Sequence, residues 1–182
     1  MKVIGIVGMP ASGKGEVSRI ARELGIPVVV MGDAIREQVR LAGLEPTDAN
    51  LGAVAGKLRA DLGMDAIARI TIPAIEAAAA PVVLVDGIRG DYEVATFREH
   101  FPDFTLIGIV SPFETRYARL ANRGRSDDSL TEEELRVRDA RELSWGLGRA
   151  LEQADCRIEN DGSLEGFVTE VKDLLSRLGG NA

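Results

Sequence analysis

A glycine-rich segment near the start of the chain has the residues and the spacing of a phosphate-binding loop. It runs Gly8-Met9-Pro10-Ala11-Ser12-Gly13-Lys14-Gly15 and fits the pattern G-x-x-x-x-G-K, with Gly15 where most such loops carry Ser or Thr. Glycines let successive backbone N–H groups point inward, and the dipole of a following helix adds positive potential there. Lys14 supplies a full cation for the outer phosphates. An apolar run before the segment and helical periodicity after it disfavour a chance match in a tight turn. The sequence therefore predicts that residues 8–15 bind a nucleoside triphosphate.

A second pattern typical of phosphoryl transfer follows a later apolar run. Val82-Val83-Leu84-Val85 leads into Asp86, which fits the Walker B pattern, where a carboxylate orients Mg²⁺ or its bound water beside the phosphates. The pattern gains weight because a phosphate-binding loop precedes it. Arg89, just beyond, could bind the phosphate of an acceptor with both arms of its guanidinium. We therefore predict that Asp86 holds Mg²⁺ through water and that Arg89 binds the acceptor.

Two charged residues follow the second apolar run of the chain. Asp33 is interpreted first as the cap of the helix that starts there, because Asp is a preferred residue at that position. Arg36 lies one turn further on, where it could reach an anion held in a cleft. The alternative for Arg36 is a solvated position on the helix surface.

Four arginines lie within ten residues of the C-terminal half, although the chain is acidic overall. Phosphoryl transfer would explain them, because guanidinium groups neutralise the negative charge spread over the transferred group. The alternative is a solvated helix face paired with residues 132–134, which contributes little to stability. The four arginines are Arg116, Arg119, Arg123 and Arg125. The segment that overlaps the last two, residues 122–130, is predicted to form a short lid.

Apolar runs alternate with helical segments along the chain. Runs that are apolar on both faces suit buried parallel strands, so the pattern predicts a three-layer α/β/α fold with about five parallel strands. Apolar residues spaced three and four apart predict helices after the loop and over residues 51–62, the latter closed by Gly63. Ligands of such sheets bind at the carboxyl ends of the strands. The predicted strands are Val3–Val7, Pro27–Val30, Pro81–Val85, Leu106–Val110 and Cys156–Ile158.

The composition limits the classes of function. The chain has 182 residues and a net charge of −7, which argues for one domain over 1–182 and against general binding to nucleic acid or anionic membranes. With one cysteine and one histidine it has neither a disulfide nor a Cys/His zinc site. No apolar stretch reaches the length of a membrane span, so a cytoplasmic enzyme is expected. The oligomeric state stays open, a homo-oligomer included.

The chain resembles the nucleoside monophosphate kinases over nearly its whole length, adenylate kinase above all. The loop has that family's Gly after its Lys, Gly32-Asp33-x-x-Arg36 matches the motif that opens its monophosphate-binding region, and Asp86-Gly87-x-Arg89 is similar to its Asp-Gly-Phe-Pro-Arg with one residue missing. The resemblance implies an acceptor region over about 32–80, with Arg36 on the acceptor phosphate. It also implies that Arg119, Arg123 and Arg125 flank a lid. One departure is Glu16, which stands where adenylate kinases carry Thr and which could contact a water bound to Mg²⁺.

The C-terminal half resembles another family. Residues 154–164 are similar to the ending of dephospho-CoA kinases, which implies that Asn160 lies near the adenine of ATP. The whole chain resembles an archaeal group described as adenylate-kinase-related. That resemblance implies a fold and ATP binding more directly than it implies a substrate.

These observations predict an ATP-dependent, Mg²⁺-assisted phosphotransferase, most like a nucleoside monophosphate kinase, that acts on a small nucleotide acceptor. No general base is needed when the acceptor is an ionised phosphate. Arg125 or Arg138 would complete the closure over the transferred group. The residues assigned to transfer are Lys14, Asp86, Arg119 and Arg123; those assigned to the acceptor are Asp33, Arg36, Arg89 and Arg125.

Two alternatives remain open from the sequence. One is a dephospho-CoA-type kinase that phosphorylates a hydroxyl group, which requires a base, with Asp33 as the candidate. The other is a slow ATPase that acts as a nucleotide-dependent switch or assembly factor, suggested by Glu16 and by the short lid.

Overall fold

The computed structural model describes residues 1–123 and 131–179, except the side chains of residues 122 and 123. Within them, five parallel strands form one sheet in the order β2-β3-β1-β4-β5. Helices cover both faces, so the predicted three-layer α/β/α fold is confirmed. The strands are β1 (Lys2–Gly8), β2 (Val28–Val30), β3 (Val82–Ile88), β4 (Phe104–Val110) and β5 (Cys156–Glu159).

Two apolar clusters lie on the two faces of the sheet. In β1, Val3 and Val7 belong to one cluster and Ile4 and Ile6 to the other, as the alternation of side chains along a strand requires. The first cluster packs under helices α2, α3, α4, α5 and α8, and the second packs under α1 and α9. The helices in the described part of the chain are α1 (Lys14–Glu23), α2 (Met31–Leu41), α3 (Asp48–Leu62), α4 (Ala66–Ala77), α5 (Asp91–His100), α6 (Phe113–Arg123), α7 (Glu132–Ser144), α8 (Leu147–Glu152) and α9 (Leu164–Gly179).

Strand β3 runs three residues beyond its predicted end at Val85. Its pairing with β1 shifts register at Gly87, because Ile6 lies opposite Asp86 and Val7 lies opposite Ile88. Gly87 has a φ of 105°, a conformation that glycine adopts at low cost, and the resulting bulge lets pairing resume at the buried Ile88. Asp86 therefore sits within the strand, directly before a bend.

The start of α2 differs from the sequence prediction. The helix begins at Met31, after the extended Val30, so Asp33 lies in the first turn and is not the cap. The prediction of a capping role for Asp33 is wrong, because the chain turns helical as soon as β2 ends. A carboxylate in the first turn still interacts favourably with the helix dipole.

Other helix ends follow the sequence. Helix α3 stops at Gly63, with a φ of 106°, as its spacing predicted. The hydroxyl of Ser163 accepts a hydrogen bond from the N–H of Gly166 and so caps α9. Thr131 and Glu134 form a reciprocal capping box at the start of α7. Two of these ends belong to α3 and α7, which both line the cleft described below.

Across residues 1–123 and 131–179, the helices are too short or too polar to cross a bilayer.

Candidate active site

The phosphate-binding loop connects β1 to α1 at the carboxyl edge of the sheet. A Cβ added to Gly8 would lie 2.5 Å from Ser12 Oγ and 2.7 Å from the carbonyl oxygen of Ile109, so no larger residue fits there. Gly13 has a φ of 115°, and a Cβ at that position would lie 2.3 Å from the side-chain nitrogen of Asn160. The loop is therefore a tight, glycine-dependent turn that leads into a helix N-terminus, as its sequence predicted.

The side chain of Lys14 folds back over this loop. Its Nζ donates hydrogen bonds to the carbonyl oxygens of Gly8, at 2.5 Å, and Met9, at 2.9 Å. Burial and, after it, the positive charge of Arg89 lower the pKa of Lys14 to about 8, against the opposing effect of the Asp86 carboxylate. The ammonium group is thus held where incoming phosphates would replace carbonyl oxygens as its partners.

This pKa predicts a pH dependence of nucleotide binding. Below pH 8 the Lys14 ammonium is charged in the free protein, whereas above pH 8 it must take up a proton to face phosphate. The association constant for ATP should therefore fall above pH 8, by up to about tenfold per pH unit. Calorimetry at pH 9 in two buffers of different ionisation enthalpy would count the protons taken up on binding. We expect uptake in the wild type and none in Lys14→Ala, and equal uptake in both would contradict the assignment.

Asp86 faces the loop from the neighbouring strand. Its Oδ2 accepts a hydrogen bond of 2.8 Å from the hydroxyl of Ser18, a buried residue of α1. Ser18 was not among the residues assigned from the sequence. It could have been suspected because it is a small polar residue one helical turn after Lys14, on a helix face otherwise occupied by Val17 and Ile20. The Ser18–Asp86 bond fixes the carboxylate beside the phosphate-binding loop.

The carboxylate of Asp86 fits the ligand preference of Mg²⁺. No group of three or more His, Cys, Asp or Glu side chains in the described ranges could hold a metal ion. Mg²⁺ commonly binds one or two carboxylates together with waters and substrate phosphates, and Asp86 provides such a carboxylate. Glu16, the other predicted metal contact, accepts hydrogen bonds from Arg19 on the same helix, with Arg19 Nε at 3.0 Å.

Arg119 and Asn160 support the loop from the opposite side. Arg119 donates to the side-chain oxygen of Asn160 at 2.9 Å and to its backbone oxygen at 3.0 Å. The Asn160 amide in turn donates to the carbonyl oxygen of Ser12 at 2.8 Å. Asn160 is buried, so the structure places this side chain beneath the loop. Arg125, the side chain of Arg123 and all of the predicted lid at 122–130 except the backbone of residues 122 and 123 lie outside the described residues.

Arg116, the first of the predicted arginine group, is buried and bonds to Asp139 and to backbone carbonyls. It forms two hydrogen bonds with the carboxylate of Asp139 on α7, at 3.0 and 2.7 Å. It also donates to the carbonyl oxygen of Pro10 at 3.1 Å. The interpretation of Arg116 as one of the arginines that reach substrate is therefore revised: it ties the loop to α7.

A cleft opens between β3, α2, α3 and α7, next to the phosphate-binding loop. It encloses about 80 Å³, room for a few solvent molecules, and its lining combines apolar side chains with five arginines. Arg36, predicted to bind the acceptor, lies at this cleft and pairs with Asp33 at 2.7 Å. The side chain of Asp33 is 70% exposed and does not line the cleft. The arginines of the lining are Arg36, Arg59, Arg89, Arg138 and Arg141.

Arg89 reaches the cleft as predicted, where it pairs with a residue that the sequence analysis missed. Its Nη1 donates to the buried carboxylate of Glu142. Burial alone would raise the pKa of Glu142, but the charges of Arg89 and Arg138 hold it below the ordinary value. Glu142 therefore stays ionised and orients Arg89.

Arg59 and Trp145 form the floor of the cleft. Arg59 pairs with the buried Glu93 at 2.7 Å, and its guanidinium lies 4.3 Å from the centroid of the Trp145 ring. Trp145 packs against the first apolar cluster and also lines the cleft. Arg59 could have been suspected as the charged residue on the apolar face of α3.

Comparison with known proteins identifies the family of this chain. A family described as AAA domain matches residues 7–136. A "UPF0200 protein" from Methanoculleus marisnigri is 82% identical over 180 residues, covering 99% of this chain and 98% of that protein. The chain belongs to the UPF0200 family.

Solved structures of kinases share the fold. A shikimate kinase from Bacteroides thetaiotaomicron superposes with a TM-score of 0.62 at 17% identity, covering 96% of this chain and 98% of that one. A dephospho-CoA kinase from Campylobacter jejuni superposes with a TM-score of 0.59 at 16% identity, covering 98% of each chain. The UPF0200 chain thus has the fold of the P-loop kinases.

Proposed function

We propose that this protein is an ATP-dependent phosphotransferase whose acceptor carries a phosphate group, as in a nucleoside monophosphate kinase. The observation that carries the proposal is the set of guanidinium groups in the cleft beside Lys14, of which Arg36 and Arg89 were expected from the sequence. Arginine is well suited to phosphate because its planar fork donates two parallel hydrogen bonds. A cleft of this charge, next to a phosphate-binding loop, favours an anionic acceptor.

On the donor side, the backbone of residues 8–15 would hold the β- and γ-phosphates of ATP. Lys14 would exchange its bonds to the Gly8 and Met9 carbonyls for bonds to phosphate oxygens. Asp86, held by Ser18, would bind Mg²⁺ through water, and the ion would neutralise charge on the β- and γ-phosphates. Arg119, fixed against Ser12 and Asn160, would lie at the edge of the loop, where charge accumulates during transfer.

The position of Asp33 favours a phosphate acceptor over a hydroxyl. A hydroxyl must lose its proton during attack, whereas an ionised phosphate oxygen attacks the γ-phosphorus directly while the bond to the β-phosphate oxygen breaks. Asp33, the candidate base of the hydroxyl alternative, is exposed, pairs with Arg36 and does not line the cleft. The remaining work of the enzyme is positioning and electrostatic stabilisation.

The test measures ADP formed from ATP and Mg²⁺ with AMP, CMP, UMP, GMP, dCMP or dephospho-CoA as the acceptor. Acceleration by one monophosphate, with appearance of the matching diphosphate, would support the proposal and name the substrate. Acceleration by dephospho-CoA alone would instead favour the hydroxyl kinase and return Asp33 to consideration as the base. Nucleotide binding with no acceleration by any acceptor would favour the slow ATPase.

A substitution at Arg36 should separate acceptor binding from donor binding. Arg36→Ala removes a half-exposed cation of the cleft lining and should raise the KM for the acceptor by between about 10- and 100-fold. The KM for ATP and the thermal stability should stay near wild type. Arg40→Ala is the matched control, because Arg40 lies one turn further along α2, pairs with Glu37 and does not line the cleft. Equal acceptor KM values in the two variants would contradict the role of Arg36.

A further inference from the structure

A carboxylate on α3 lies between two guanidinium groups of α7, across the cleft. The carboxylate of Asp48 accepts two hydrogen bonds from Nη2 of Arg141, at 3.0 and 2.9 Å. The Nε of Arg138 lies 3.4 Å from the same carboxylate. All three side chains line the same cavity as Arg36 and Arg89. An anion supplied by the protein itself therefore occupies the arginine-rich end of the cleft.

The surface of α3 is shaped to receive Arg141. Gly52 lies one turn after Asp48 on the same face of the helix, and a Cβ there would be 2.7 Å from Nη1 of Arg141. Glycine in a helix interior is less stable than alanine, so its presence here leaves room for the guanidinium at a cost to the helix. Gly56, one turn further on, has no neighbouring atom within 4 Å at the same position, so the close fit is specific to Gly52.

One donor of this pair has unused bonding capacity. Within the described residues, Nε of Arg141 is buried and has no hydrogen-bond partner, and such an atom is uncommon enough to call for an explanation, such as a bound ion, water or ligand. Oε2 of Glu142 also lacks a partner, but it is an acceptor and requires a donor. A phosphate group has more acceptor oxygens than the Asp48 carboxylate and could also reach Nε of Arg141.

We propose that the Asp48 carboxylate occupies the binding site of the acceptor's phosphate group, so that Asp48 and the acceptor compete for Arg138 and Arg141. That the competing anion is a phosphorylated acceptor rests on the proposed function. That an anion binds at Arg138 and Arg141 does not. Asp48, Gly52, Arg138 and Arg141 together form what we call the anion latch. While Asp48 is engaged, the cleft is held closed between α3 and α7, which accounts for its small volume.

Competition of this kind weakens acceptor binding by a predictable factor. The apparent dissociation constant equals the intrinsic one divided by the fraction of molecules in which Arg138 and Arg141 are released. Removing the charge of Asp48 should raise that fraction. A residue that merely held the fold, or that bound the acceptor itself, would have the opposite effect on affinity when altered.

The first experiment titrates inorganic phosphate, without ATP, into the full chain at constant ionic strength. Trp145 is the only tryptophan of the sequence, and its ring centroid lies 5.7 Å from the Arg141 guanidinium, so its fluorescence reports movement of that group. Asp48→Asn should bind phosphate roughly five- to tenfold more tightly than wild type. Asp61→Asn is the charge-matched control, because Asp61 lies on the same helix and pairs with the exposed Lys57; it should match wild type.

The second experiment disturbs the latch without changing charge. In Gly52→Ala the added methyl group should displace Arg141 from Asp48, so the fluorescence of the free variant should approach that of phosphate-saturated wild type. Gly56→Ala is the matched control and should keep the wild-type spectrum and response. Both variants replace a helical glycine by alanine, so differences in helix propensity cancel.

The outcomes separate this inference from the proposed function. Tighter phosphate binding by Asp48→Asn supports the latch even if no acceptor in the panel is phosphorylated. Phosphate affinity of Asp48→Asn equal to or weaker than that of wild type and Asp61→Asn would overturn the latch, even if ADP formation with a monophosphate is found. Identical spectra of Gly52→Ala and Gly56→Ala would also overturn it.

Discussion

Lys14→Ala should abolish acceptor-dependent ADP formation, with a loss of roughly 10³-fold in kcat/KM. Lys14 is the full cation held directly over the phosphate-binding loop, where it bonds to the Gly8 and Met9 carbonyls. Its substitution removes charge that would stabilise the phosphates most strongly as negative charge shifts during transfer. The measurement is steady-state ADP production with the acceptor identified by the panel, over a range of ATP concentrations.

A control and a structural check accompany this prediction. Lys57→Ala removes a lysine that pairs with Asp61 on the exposed face of α3, and it should leave kcat/KM unchanged. Cooperative thermal unfolding of Lys14→Ala would show that the fold survives. If Lys14→Ala kept more than a tenth of the wild-type kcat/KM, the loop would not be the catalytic donor site.

The second large effect is on stability. Asp139→Ala should lower the free energy of unfolding by about 3–5 kcal/mol, because it leaves the Arg116 guanidinium buried without its carboxylate partner. Denaturant unfolding, analysed at constant m-value, measures the change. The substitution should also disturb the active site, since Arg116 links α7 to the Pro10 carbonyl of the phosphate-binding loop.

Two further variants test the physical cause of that loss. Arg116→Met combined with Asp139→Leu removes both charges and should recover most of the stability, because a buried ion pair can be replaced by apolar side chains of similar volume. Glu132→Gln breaks an exposed pair with Arg136 on the same helix and should stay close to wild type. A loss below about 1 kcal/mol for Asp139→Ala would show that the buried pair does not hold α7.

The fold was largely predictable because its determinants are local. Strands β1 to β4 each contain a short apolar run, and each of the predicted helices has its apolar residues at helical spacing. The misplaced boundaries have identifiable causes. Gly87 allows a bulge that prolongs β3, and α2 begins without a capping side chain, so Asp33 fell inside the helix. Neither event leaves a clear mark in the residue pattern, because both depend on how the chain fits its neighbours.

The candidate site also has residues that could be predicted from the sequence and residues that could not. The phosphate-binding loop, Asp86, Arg36 and Arg89 follow directly from motifs after β1, β2 and β3, and the structure brings them to one edge of the sheet. Ser18, Asp139 and Glu142 were not found, since each is a common residue whose role depends on one distant partner. Ser18 lies 68 residues from Asp86, and Glu142 lies 53 residues from Arg89.

The sequence by itself determined the type of fold and the position of the glycine-rich loop at the carboxyl edge of the sheet, because a strand, a glycine turn and a helix start are properties of contiguous residues. Tertiary structure decided which arginines line the cleft and which bond to residues that support the phosphate-binding loop. Arg116 and Arg119 lie three residues apart on α6, yet Arg116 is locked to Asp139 while Arg119 braces Asn160. The partner of each guanidinium is set by the packing of α6 and α7 around the loop, and spacing along the chain carries no information about that packing.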